Sequence, residues 1–131
     1  MASRTTSGRR ACRAAGFTLI ELLVVMAIIA ALTAFVAPGY LKQSDRAKET
    51  VLRHNLNTLR QSIDDYRADH GRDPDTLDAL VEKRYLREMP LDPLTGKRGS
   101  WRPQAGETGG IADVKSGAKG RALDGSAYAT W

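Results

Sequence analysis

The chain has 131 residues, which sets one small domain as the expectation, and it carries 20 Lys and Arg against 15 Asp and Glu for a net charge of +5. The excess is local: residues 1–16 hold Arg4, Arg9, Arg10 and Arg13 and no acid, and the remainder is close to neutral. Charge alone therefore supports no nucleic-acid reading, since no Lys/Arg cluster with interleaved aromatics follows, and the lone Cys12 lies in the basic leader, so a chain starting after Gly16 has no thiol for a disulfide or a cysteine metal site.

The first predicted element is a helix of membrane length. Residues 22–37 are apolar except for Thr33, and counting from Phe17 adds the polar Thr18 and Glu21. At about 1.5 Å per residue the run spans roughly 30 Å, the hydrocarbon thickness of a bilayer. Arginines flank only its N-terminal side, which predicts a cytoplasmic N-terminus and an external C-terminal part. A signal peptide cut among Ala30, Ala31 and Ala37, a plain uncleaved anchor, and a helix processed ahead of the run compete here. Glu21 weighs against the first, because a signal's apolar region is shorter and carries no acid.

The segment "GFTLIELLVVMAIIAALTAFVAPGY" resembles the N-terminus of type IV pilins and of the pseudopilins of type II secretion systems. The resemblance implies that a membrane prepilin peptidase cuts between Gly16 and Phe17 and that the new Phe17 amine is N-methylated. Glycine before the cut lets the backbone enter a tight active site. The chemistry accounts for the acid. A carboxylate at depth costs on the order of 3 kcal/mol on insertion scales. An ammonium about 4 Å away returns about 4 kcal/mol at an effective dielectric near 20. Glu21 lies four residues from Phe17, spaced to pair with its own amine. The resemblance implies that in a filament a neighbour's amine meets Glu21 instead and sets the axial register. The competing assignment has Glu21 snorkelled to headgroups. Pro38-Gly39 then predicts a bend or local melting, because proline lacks the helical donor.

Beyond Leu41 the pattern turns amphipathic. Leu52, Leu56, Leu59, Ile63 and Tyr66 step by four and three, one stripe of a helix facing a core. Arg60 and Asp64 are spaced for an i,i+4 pair. Asp45, Arg46, Lys48 and Glu49 read as a solvated collar or as charge pairing between subunits. Gly71 fits the position just past the helix end, with Asp73-Pro74 beyond it. A second short helix is expected from about Asp75, burying Leu77, Leu80 and Val81. His54 reads as surface and His70 as a residue suited to a helix C-terminus. Pro90, Pro93 and Gly96 predict loops, and short strands are expected at residues 100–102 and 111–114.

The resemblance to the major, G-type pseudopilins continues through "HGRDP", "TLDALVEK", "YLREMPLDP" and "SGAKGRALDGSAYATW", with departures at Asp73 and at "DPLTGK". It implies calcium in the last loop, with Asp124 and Asp113 the nearest acids, although Lys119 stands where an aspartate is expected. The alternative is a glycine-rich turn with Tyr128 and Trp131 packed back. No catalytic constellation emerges.

The chain thus reads as α+β, a long N-terminal helix packed on a small head with a short helix and a small antiparallel sheet. Its divisions are a leader at 1–16, a membrane and filament-core helix at 17–38 and a periplasmic part at 39–131. The resemblance implies a subunit that polymerises with itself and other pseudopilins into a periplasmic filament driving export. Its implied partners are the peptidase/methyltransferase, an inner-membrane platform with its ATPase, and lipid, with no nucleic acid. The alternatives are a type IV pilus subunit and, further off, a membrane-tethered periplasmic enzyme.

Overall fold

A computed structural model of the chain describes residues 1–3 and 15–131. The leader arginines and Cys12 lie outside the described residues. Contacts divide the chain into two units, Met1–Pro38 and Gly39–Trp131.

Helix α1 runs Leu19–His70. In the first unit its large apolar side chains are exposed: Leu23, Met26, Leu32 and Phe35 are all more than half exposed. The most apolar eighteen-residue window has a mean hydropathy of 2.7 and is unburied among the described residues. Length and composition suit it to cross a membrane. Pro38 lies inside α1 and the helix runs unbroken through Gly39, so the local melting expected there is absent. Pro38 itself supplies no amide to the preceding turn.

In the second unit, called the head below, the stripe read from the sequence is the core. Leu52, Leu56, Leu59, Ile63 and Tyr66 are each at most 4% exposed. They pack with Leu80, Leu86, Trp101, Ile111, Val114 and Tyr128, contributed by the rest of the head. α1 ends where Gly71 takes a φ of +69° and donates its amide to the Arg67 carbonyl at 2.8 Å, an αL cap.

Helix α2 runs Asp78–Glu82 and starts three residues later than expected. Thr76 determines the start: its hydroxyl accepts the Ala79 amide at 3.2 Å. Leu80 is buried, with Leu77 and Val81 packed beside it. Strands β1, Arg102–Ala105, and β2, Ile111–Lys115, form an antiparallel hairpin with an irregularity at Gln104/Ala105. β1 begins and ends later than the 100–102 expected, because Trp101 is drawn into the core and its indole donates to the Pro90 carbonyl at 2.8 Å. The chain closes with a single 3-10 turn, Tyr128–Thr130.

Candidate functional site

The N-terminal motif occupies the entry to α1. Gly16, Phe17 and Thr18 precede the helix and are exposed. Thr18 ends the extended chain by capping: its hydroxyl accepts the Glu21 amide at 3.2 Å, and its carbonyl accepts the Leu22 amide at 3.2 Å. Thr-x-x-Glu is the spacing of a capping box, and an acid in the first turn suits the helix dipole. Phe17, Glu21, Leu22 and Val25 line one shallow recess, which puts Glu21 on the same side of the chain as Phe17.

The C-terminal loop is held by charged residues of α1. The Glu49 carboxylate accepts the Leu123 amide at 2.7 Å and the Tyr128 hydroxyl at 2.9 Å. Arg53 donates to Asp124 at 3.3 Å and lies over the Trp131 ring, 3.9 Å from its centroid. Arg60 donates to Asp113 at 2.8 Å and to the Val114 carbonyl at 3.1 Å. Glu49, Arg53 and Arg60 follow one face at helical spacing. Two sequence expectations are corrected here. Arg60 does not pair with Asp64, which is bonded to Arg67 instead. Glu49 is not a solvated collar residue, because the loop's donors reach it. Tyr128 and Trp131 pack together edge to face at 5.3 Å.

Asp113 and Asp124, the acids the resemblance assigns to calcium, offer a poor donor set. Asp113 spends one oxygen on Arg60 and the Val114 amide. Asp124 accepts the Ser126 amide and hydroxyl on one oxygen and Arg53 on the other. The Ser126 bonds, followed by the Arg53 charge, hold its carboxyl below the usual carboxylate range. Calcium needs six to eight oxygens, and among the described residues no group of three or more His, Cys, Asp or Glu side chains is placed to hold a metal. The residues do not fit the ion.

Two buried carboxylates escaped the sequence reading. Asp92 is fully buried; it accepts the Leu94 and Thr95 amides and the Ser116 hydroxyl. An Asp-Pro pair four residues before Gly96 is a turn signal that could have found it. Asp73 is buried beneath the hairpin turn and bonded to Arg67. A Cβ at Gly106 or Gly110 would stand 2.6 or 2.8 Å from Asp73 atoms, so glycine is what lets the turn close over the acid. At the end of α1, His70 stacks on Tyr66 at 4.1 Å, and Tyr85 donates to Asp69 at 2.6 Å.

The family described as the prokaryotic N-terminal methylation motif matches residues 12–37, the stretch holding Gly16, Phe17 and Glu21. With the exposed apolar helix and the α+β head, that match defines the class, a pilin-like protein with a helix suited to membrane anchoring. The type II secretion system core protein G of Pseudomonas aeruginosa is 35% identical over 94 residues, covering 60% of this chain and 66% of the relative. The same protein of Aeromonas hydrophila is 31% identical over 97 residues, covering 62% and 68%. Competence protein ComGC of Halalkalibacterium halodurans is 33% identical over 72 residues, covering 55% and 71%. No solved structure matches significantly. The chain belongs to the family of type II secretion system core protein G, the pseudopilins.

Proposed function

We propose that this chain is cut between Gly16 and Phe17, methylated on the new Phe17 amine and polymerised into a short periplasmic filament that helps drive protein export across the outer membrane. Residues 1–16 are the leader, 17–38 the membrane and filament-core helix, and 39–131 the periplasmic part. The N-terminus faces the cytoplasm, as the one-sided arginines direct. The observation that carries the reading is the first half of α1, an apolar helix unburied among the described residues. Lipid is one solvent for such a surface, and other copies of the same helix are the second.

The role of Glu21 follows from the same surface. In the uncut chain the Phe17 nitrogen is an amide and carries no charge. Cleavage creates a cation beside the carboxylate, and methylation keeps it basic. In the filament the amine of a neighbouring copy meets Glu21 and fixes how far each subunit rises. Pro38 and Gly39 form a joint where α1 lacks one bond and has open space around it. The work is assembly rather than catalysis, and the partners are the peptidase/methyltransferase, an inner-membrane platform with its ATPase, lipid and other pseudopilins.

A type IV pilus subunit is the second reading, favoured by the resemblance to a competence protein. The repeated matches to core protein G support secretion over it. The mass of the mature N-terminus tests the processing both share. Methyl-Phe17 is expected; an intact leader, or a chain starting after Ala37, rejects the proposal.

A further inference from the structure

We propose that the C-terminal loop of this chain is closed by a metal-free clasp, in which Glu49 and Arg53 of α1 do the holding that the family resemblance assigns to calcium. The arrangement is a closed circuit. Arg53 donates to Asp124. The other oxygen of Asp124 accepts the Ser126 hydroxyl at 2.6 Å. The Ser126 oxygen in turn accepts the Trp131 indole N–H at 2.7 Å. The Trp131 ring then lies against the Arg53 guanidinium, which returns the circuit to its start. One helical turn earlier, Glu49 takes the Leu123 amide and the Tyr128 hydroxyl.

Charge and donor capacity both exclude a divalent ion from the same place. Arg53 brings a fixed positive charge to the carboxylate a cation would need. Loop carbonyls are also in use: Ala122 accepts the Gly125 amide at 2.9 Å, Ser126 accepts the Ala122 amide at 2.7 Å, and Gly125 accepts the Arg121 guanidinium at 3.0 Å. Glu49 and Arg53 sit 71 or more residues before the loop they bind, so the clasp ties the end of the chain to the core-bearing helix. An exposed arginine–aspartate pair alone contributes little. The clasp gains from four mutually ordering groups, each placed by the next.

The test is thermal unfolding of the full mature chain in detergent micelles, followed by tryptophan fluorescence, with calcium chloride or with EGTA. The expected midpoints in the two solutions agree within about 1 °C, because an absent ligand adds no linkage. Arg53→Ala is expected to lower the midpoint by about 4 °C or more. Arg53→Lys, which keeps the charge but not the flat stacking face, recovers only part of that loss. A midpoint that falls with EGTA overturns the proposal, and so does an Arg53→Ala midpoint equal to wild type. Should Arg53→Ala fail to fold, the calcium comparison on the unaltered chain still decides. The melt reads the head and is independent of whether the protein acts in secretion or in a pilus.

Discussion

Two stretches of one helix solve opposite problems. Between Leu19 and Leu41 the large apolar side chains of α1 are all exposed, whereas Leu52, Leu56, Leu59, Ile63 and Tyr66 are buried. Hydropathy and pattern both separate the two: the first stretch holds an eighteen-residue window of mean hydropathy 2.7 and has no polar face, whereas the second interleaves its leucines with Arg, Asn, Gln and Asp and has one. A helix apolar all round needs a solvent supplied from outside its own chain. A helix apolar on one side brings its own cover, here α2, the hairpin and the C-terminal loop.

Truncation should break that symmetry most sharply. Leu59→Ala is expected to destabilise the head by about 2–5 kcal/mol, because the residue is fully buried and its removal leaves a cavity. Leu23→Ala, with its side chain outside any core of this chain, should leave the denaturant midpoint of the head unchanged. Equal losses from the two substitutions would dissolve the contrast.

Glu21→Ala sharpens the other half. It should leave membrane insertion intact and reduce incorporation into filaments at least about tenfold, since a charge pair of a few kcal/mol is removed. Cross-linking of assembled subunits against total membrane protein measures it. Normal incorporation would return Glu21 to a headgroup or helix-capping role.

The smallest effect is alkaline. The Tyr85 phenol is pushed up to about 12, first by its bond to Asp69, and the Tyr128 phenol to about 12, first by burial and then by Glu49. The unfolded chain releases these protons near pH 10. Their stabilisation is therefore whole below that pH and is lost as pH rises from about 10 toward 12. Circular dichroism against pH should show the decline, and Tyr85→Phe with Tyr128→Phe should flatten it.

What the sequence made legible was local. The stripe from Leu52 to Tyr66, the αL cap at Gly71 and the unbroken apolar run each depend on spacing within a few turns. Long-range partners had no such signature. Arg60 was spaced for Asp64, yet Asp113, 53 residues away, takes its guanidinium. Glu49 resembled its charged neighbours until the loop folded onto it. Asp73 and Asp92 carried the composition of surface turns, and only tertiary closure buries them. Gly16, Phe17 and Glu21 lie within the matched N-terminal methylation motif, which is legible because its residue types are fixed at several offsets together.

Thr18 gives the motif a further property. Since its hydroxyl starts α1 two residues after the Gly16–Phe17 bond, cutting that bond would sever no rung of the helical ladder and expose none. Maturation would then strip off the leader with its four arginines and set one ammonium near Glu21, while the hydrogen bonds of α1 stayed as they were, so a precursor and its product could wait in the same lipid as the same helix.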